Sequence, residues 1–195
     1  SPLTQTAAVE PGVLAALGAP TVDAVYTLPY LAHATMEVLN CSVRLSYDTA
    51  GTIITKCEMW APTQAANWAA GTAAALINEV QPANPIPFTN VIVNTTYLGG
   101  GLGRKIEQDY ISQAVQVAIA VKKPVKLTWM REEDTAHDNY RPMAMVNVKA
   151  TLSGNNIGAW YYRNVSPAIL EQRGWMAPGS VDGQAVEGAV GLPYA

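Results

Sequence analysis

The sequence predicts an α+β fold: a mixed β-sheet with two main helices packed on one face, followed by an irregular Gly/Pro-rich C-terminal segment. Three observations carry this. "CSVRLSYD" alternates apolar and polar residues with a period of two, the mark of a half-buried strand. "PTQAANWAAGTAAALINEV" and "IEQDYISQAVQVAIAVKK" repeat apolar residues at helical spacing. The order strand, strand, helix, strand, helix, strand, strand, strand suits helices layered on one face of a sheet. With 195 residues, 49% of them hydrophobic, the chain can bury a substantial core.

Residues 1–20 are rich in Ala, Pro and Gly and read as a linker, although "VEPGVLAALGAP" could hold a short helix. Residues 21–165 form the predicted α+β domain. "VDAVYTLPYLAHATME" is a strand interrupted at Pro29. In "CSVRLSYD", Cys41, Val43, Leu45 and Tyr47 share one face, and "TIITKCEMW" is the return arm of a hairpin. Pro62 suits the first turn of the first helix, whose stripe is Ala65, Ala69, Ala73, Leu76, Ile77 and Val80. "QPANPIP" ends it, because three prolines cannot continue a helix. "FTNVIVNTTYL" is a strand leading into "GGGLG". The second helix carries Ile111, Ala114, Val115, Ala118 and Val121 on one side and stops at Pro124. "VKLTWM" is a strand, "REEDTAHDNYRP" a charged turn or short helix, and "MAMVNVKATLSGNNIGAWYYRNV" a hairpin turning at Gly154–Asn156. Residues 166–195 are the irregular segment.

The two cysteines, Cys41 and Cys57, flank "DTAG". A two-residue turn at Thr49 and Ala50 would pair Cys41 with Glu58 and Ser42 with Cys57. The thiols would then point to opposite faces and form no disulfide, an outcome that a one-residue bulge would reverse. They make no metal site.

Charged residues are 14% of the chain, against about a quarter in ordinary soluble domains. Either part of the surface is covered by another domain or subunit, or the protein is simply Ala-rich. The net charge is −3 and no Lys/Arg-rich stretch occurs, so no nucleic-acid partner is expected. No apolar run reaches the length of a membrane span.

"TTYLGGGLGRKIEQDY" puts four glycines into Gly99–Gly103. Gly101 and Gly103 give G-x-G, but Ile106 stands at the third glycine of a dinucleotide fingerprint and no acid follows about twenty residues on. The P-loop pattern is absent too. The loop still permits positive φ and removes side chains that would hold a ligand away. Arg104 and Lys105 could offer charge-assisted bonds to an anion, with Asp109 opposing it mildly. The alternative is a tight turn without a ligand.

"LAHATMEVLNCSV", "CEMWAPTQ", "GGGLGRKIEQDY", "KKPVKLTWMREEDTAHDNYRP" and "VDGQAVEGAVGLPYA" together resemble the molybdopterin-binding subunit of the xanthine dehydrogenase/aldehyde oxidase family. The likeness is in particular to the bacterial isoquinoline 1-oxidoreductase beta-subunit branch. It runs from about Leu31 to the C-terminus. The resemblance implies a molybdenum cofactor, molybdopterin cytosine dinucleotide in bacterial members, with the loop Gly99, Gly100, Gly101, Leu102, Gly103 and Arg104 lying against it. Gln64, in W-x-x-T-Q, would hydrogen-bond an oxygen ligand of the metal. The implied reaction hydroxylates an N-heterocycle or an aldehyde with oxygen from water, and electrons leave through a small 2Fe–2S subunit. Other implied partners are the remainder of the large subunit and the small-molecule heterocycle or aldehyde. The implied setting is periplasmic or membrane-associated, with the cytoplasm as the alternative.

The chain departs from that family at Leu102, where Phe is common, at Val38, where Pro is common, and at Ile106, where xanthine oxidases carry a substrate-facing Glu. The family's general base lies in a G-x-G-E segment that Glu187, in "AVEGAVG", does not match. The chain is therefore expected to be a fragment of a molybdenum subunit that does not turn over alone. The cofactor is expected in the complete enzyme only. A non-catalytic interaction domain docking onto a partner subunit is the alternative.

Taken singly, the candidate residues have plainer readings. Gln64 could cap local backbone. His33 could be a hydrogen-bonded structural residue rather than part of a substrate channel. Glu37 could line that channel or pair with Arg44, and pairing is the favoured reading. His137 is expected to be solvated or salt-bridged, the run Arg131–Asp138 to be a surface face or domain contact, and Trp129, Trp160, Tyr161 and Tyr162 to be core or interface.

Overall fold

The computed structural model describes residues 17–180 and 182–184. Most of "VEPGVLAALGAP", and the "AVEGAVG" segment with Glu187, lie outside the described residues. In chain order the elements are β1 (Val22–Leu28), β2 (Asn40–Tyr47), β3 (Ile54–Ala61), α1 (Ala66–Val80), β4 (Val91–Thr95), α2 (Asp109–Val121), β5 (Val125–Thr128), α3 (Arg131–Ala136), β6 (Ala144–Ser153), β7 (Asn156–Val165) and α4 (Ile169–Gln172). The class is α+β. The elements fall into two compact units, Ala32–Tyr140 and Ser1–Leu31 with Arg141–Ala195. Residues 21–165 contribute to both.

The Ala32–Tyr140 unit holds a four-stranded mixed sheet in the order β4-β3-β2-β5. β2 and β3 form the expected antiparallel hairpin, β5 adds antiparallel to β2, and β4 lies parallel to β3. A parallel neighbour needs a crossover, and α1 supplies it. One sheet face carries Cys41, Val43, Cys57, Met59 and Ala61, all at most 1% exposed, against Ala69, Ala73 and Ile77 of α1 and Ile111, Ala114, Val115 and Ala118 of α2. Alanines at the contact let two helices lie close to one sheet. Val80 and Val121, read as stripe residues, are exposed; each is the last residue of its helix. Tyr110, outside the predicted stripe, is fully buried, and its hydroxyl donates to the carbonyl of Pro62 at 3.3 Å.

The cysteine geometry corrects the sequence reading. The turn is longer than two residues: Asp48 and Ile53 close it, Asp48 N–H donating to Ile53 O at 2.9 Å, and the register shifts between Ser46 and Tyr47. Arg44 therefore faces Glu58, and Leu45 faces Cys57. Cys41 and Leu45 share a strand face, so both thiols point into the same core. They remain free and fully buried.

The other unit holds the antiparallel sheet β1-β6-β7. Its hairpin turns at Gly154, whose φ of 61° an L side chain would resist, and strand structure resumes at Asn156. Tyr26, Val146, Val148, Trp160 and Tyr162 alternate onto one face by the observed register. Tyr26, Trp160 and Tyr162 are all more than half exposed. In the segment that follows, the carboxylate of Asp182 accepts the N–H groups of Ile169 and Leu170 at 2.6 and 3.1 Å and starts α4.

Burial pushes both thiols up to about 12. The thiolate is the reactive form, so neither Cys41 nor Cys57 should react with an aromatic disulfide reagent at pH 8 in the folded protein. Titration of the same sample in denaturant should show two thiols.

Candidate functional site

The glycine loop joins β4 to α2 within the Ala32–Tyr140 unit. Gly100 and Gly103 adopt φ of 100° and 98°, and Leu102 between them takes 55°. A short 3-10 turn, Arg104–Ile106, separates the loop from α2. The conformation is held from three sides by residues distant in sequence.

Glu37 makes the first attachment. Its backbone N–H donates to Gly99 O at 3.0 Å, and its carboxylate accepts Gly99 N–H at 2.9 Å. The same carboxylate takes Lys105 Nζ at 2.7 Å and Asn40 Nδ2 at 3.2 Å. A Cβ on Gly99 would lie 2.5 Å from Glu37 Cβ, so only glycine fits. Desolvation alone would raise the Glu37 carboxyl; the bonds from Lys105, Gly99 N–H and Asn40 outweigh it and hold it below its ordinary value. The expected Glu37–Arg44 pair does not form. Arg44 bonds Glu58 at 2.6 Å across the hairpin, as the register requires.

Gln64 makes the second attachment. It sits just before α1, is exposed, and its Oε1 accepts Gly103 N–H at 3.1 Å. Its own N–H donates to Lys105 O at 3.0 Å. A Cβ on Gly101 would lie 2.4 Å from Oε1. Because Gly103 contributes a donor, the side-chain oxygen must face the loop, and Nε2 is left as a donor with no partner among the described residues. The local-capping alternative does not hold: Gln64 reaches 39 residues along the chain instead.

Arg104 and Lys105 make the third attachment, and here the structure corrects the anion reading. Their side chains are 1% and 0% exposed. The Arg104 guanidinium bonds both Asp109 oxygens at 3.0 and 2.6 Å. Its Nε lies 2.9 Å from Asp138 Oδ1, an ion pair without hydrogen-bond geometry, and its Cζ sits 5.5 Å from the Trp129 ring centre. Burial would weaken that charge, but Asp109, Asp138 and Asp134 outweigh it. Neither cation is available to a ligand; both are tied down within the protein.

Asp138, expected in a surface run, is nearly buried, as is Asp134. Asp138 also accepts His33 N–H at 2.5 Å and contacts His33 Nδ1 at 3.0 Å. Arg131 bonds Asp134 and the carbonyl of Thr35. His137, 3.3 Å from Glu133 and well exposed, matches the solvated reading, and Glu132 and Glu133 are exposed as a surface face requires. Trp129 is core, donating to Gln113 Oε1 at 2.9 Å. Nothing in the spacing of residues 131–138 marks Asp138; its partners lie 105 and 34 positions away, and only folding joins them.

The glycines thus face the protein, while the N–H groups of Gly100, Gly101 and Leu102 have no acceptor among the described residues. Successive free N–H groups around left-handed residues form a concavity for electron-rich atoms. Leu102 projects outward, 71% exposed. Beside the loop lies an open depression of about 420 Å³ lined by Gln64, Ala65, Ala66, Asn67, Trp68 and Ile106. The sequence readings of Gln64 and Ile106 therefore converge on one place. Among the described residues no group of three or more His, Cys, Asp or Glu could hold a metal ion directly.

The α+β unit thus carries a glycine loop braced by Glu37 and Gln64. The model of the molybdopterin cofactor-binding domain matches residues 10–157, and the chain belongs to that family. It is 28% identical over 168 residues to the aldehyde oxidoreductase molybdenum-binding subunit PaoC of Escherichia coli, covering 85% of this chain and 20% of the relative. It is 26% identical over 175 residues to the membrane-bound aldehyde dehydrogenase (pyrroloquinoline-quinone) of Gluconacetobacter polyoxogenes, covering 89% and 20%. Over 95 residues it is 27% identical to isoquinoline 1-oxidoreductase subunit beta of Brevundimonas diminuta, covering 49% and 11%. Quinoline 2-oxidoreductase from Pseudomonas putida shares the fold with a TM-score of 0.58 at 15% identity, over 78% of this chain and 18% of that one. The chain spans about a fifth of the length of the first two relatives. No helix among the described residues is long and apolar enough to cross a membrane.

Replacing Glu37 by Gln should destabilise the protein at pH 7 by roughly 2–3 kcal/mol, because a fully buried ammonium loses its anionic partner. The Glu37 carboxyl is held low, so its contribution is complete above its ordinary value of 4.5 and is lost as pH falls through the depressed folded value. Urea unfolding of wild type and Glu37→Gln should therefore converge on acidification below that ordinary value.

Proposed function

We propose that this chain is the part of a molybdenum hydroxylase or aldehyde dehydrogenase that presents the glycine loop and Gln64 to a pyranopterin-bound molybdenum cofactor. The observation that carries this reading is the Gln64–Gly103 hydrogen bond, which engages Oε1 and leaves Nε2 a donor, in a loop whose Gly100, Gly101 and Leu102 N–H groups have no acceptor among the described residues. Such donors suit the oxygen-rich rim of that cofactor. The residues that would hold it are Gly100, Gly101, Leu102 and Gln64. Arg104 keeps the loop in place from beneath rather than contacting the cofactor.

When bound, the cofactor supplies two-electron redox chemistry at molybdenum, with water as the oxygen source. Gln64 would offer its Nε2 donor to the bound cofactor, and Glu37, Arg104 and Lys105 would keep the loop rigid beneath it. Leu102 and Ile106 offer apolar contact, Ile106 standing where the resemblance places the substrate-facing Glu of xanthine oxidases. An N-heterocycle or an aldehyde fits better, in line with the names of the relatives. The cytosine dinucleotide form of the cofactor and a small 2Fe–2S partner subunit belong to the same reading. The rest of a longer molybdenum subunit would supply the general base. His33 and Glu37 were read as channel residues; Glu37 serves better as the anchor of the loop.

In the complete enzyme, Gln64→Ala should lower kcat by at least about tenfold, the scale of one hydrogen bond made in the transition state, with little change in Tm. Unchanged turnover would remove Gln64 from the site. Gly101→Ala should act similarly, because Gln64 can swing away from the new methyl. Gly99→Ala should instead lower Tm clearly, because Glu37 Cβ cannot move without the backbone. Thermal melts of the two alanine variants, paired with molybdenum content, test that division.

A further inference from the structure

His33 is buried apart from a sliver of its ring, 8% of the side chain being exposed. Its Nδ1 lies 3.1 and 3.0 Å from the two oxygens of Asp138. A carboxylate only accepts, so Nδ1 must donate. Asp138 itself is fixed by His33 N–H and by the buried Arg104 guanidinium, which cannot lose its proton. Nδ1 is therefore the donor nitrogen, and in the neutral ring the lone pair lies on Nε2. That atom has no hydrogen-bond partner among the described residues. It faces Gly103, where an added Cβ would lie 3.9 Å from Nε2. Gly103 is also the residue whose N–H binds Gln64. Two side chains 31 positions apart thus flank one residue of the loop, one offering a free donor and the other a free acceptor.

We propose that His33 Nε2 is a hydrogen-bond acceptor for a proton-bearing group of the small molecule, or its attendant water, seated at the Gly103 side of the loop. Asp138 is the positioning residue that fixes its tautomer. The inference rests on the functional reading above for the identity of that molecule, but not for the state of the ring. A carboxylate behind an imidazole fixes both its orientation and which nitrogen is basic. The pairing Gln64-donor and His33-acceptor suits a ligand with an oxygen or ring nitrogen beside an N–H or O–H, as a lactam-bearing N-heterocycle or a hydrated aldehyde has.

The test is selective 15N-histidine NMR on the complete enzyme, which has only His33 and His137 to assign within this chain, using His33→Gln to identify the signal. The expected spectrum shows Nδ1 protonated and Nε2 unprotonated at neutral pH, changed in Asp138→Asn. A ring protonated at Nε2, or one indifferent to Asp138→Asn, overturns the proposal whether or not molybdenum is present. Carbethoxylation read by mass spectrometry adds the ligand arm. With quinazolin-4-one, a heterocycle carrying a lactam N–H, as the probe, modification of His33 should slow about tenfold while that of His137 is unchanged, the scale of one protected hydrogen bond. Equal modification with and without probe in enzyme that turns the probe over sinks the acceptor role. Enzyme without pterin or molybdenum sinks the functional reading instead and leaves the tautomer result to be judged on its own. If Asp138→Asn does not fold, the wild-type spectrum still decides the tautomer.

Discussion

Two adjacent cations without solvent exposure, Arg104 and Lys105, anchor the loop on which the candidate site is built. Removing such charges from water costs several kcal/mol each unless they are paired. Glu37, Asp109 and Asp138 meet that demand from three separate stretches of chain. The pairs are weak evidence for extra stability, since an apolar substitute of the same shape could do as well. Their consequence is geometric. The placement of residues 99–105 that sets Lys105 at Glu37 and Arg104 against both Asp109 and Asp138 also brings Gly103 to Gln64.

The same placement explains the glycines. A loop of this composition invites the view that it is bare toward a ligand. Here Gly99 and Gly101 are bare toward the protein, because Glu37 and Gln64 occupy the space a Cβ would take. The loop also carries backbone N–H groups with no acceptor among the described residues, and the exposed Leu102. The chemistry offered is therefore that of fixed donors with little reorganisation to undergo, which suits a large, polar, pre-assembled cofactor better than a freely diffusing anion. The strained φ of Ala34, 42°, sits between His33 and Thr35, both held by side chains of the α3 region. Strain of this kind persists only where neighbours over-determine the backbone.

The antiparallel sheet β1-β6-β7 has a different character. Tyr26, Trp160 and Tyr162 stand exposed on one face around the valines of β6. The first two relatives are about five times longer than this chain. Similarity to solved structures at 15% identity supports the fold, whereas membership of the cofactor-binding family rests on the match over residues 10–157.

Local periodicity by itself determined the helices, the two hairpins and most of the core, because the side-chain repeat of a helix or strand is set by backbone geometry. Composition marked the glycine loop, whereas Gln64 stood out only through the family resemblance. Register was another matter. One shifted pair near Tyr47 put both cysteines on one face, and no local pattern announces a turn closed by Asp48 and Ile53. The charged residues were least legible: Glu37, Lys105, Arg104 and Asp138 look like surface groups in sequence, and became internal only when folding matched each with a distant opposite charge. An ion pair's partner is chosen by three-dimensional proximity and desolvation, neither of which is written in neighbouring residues.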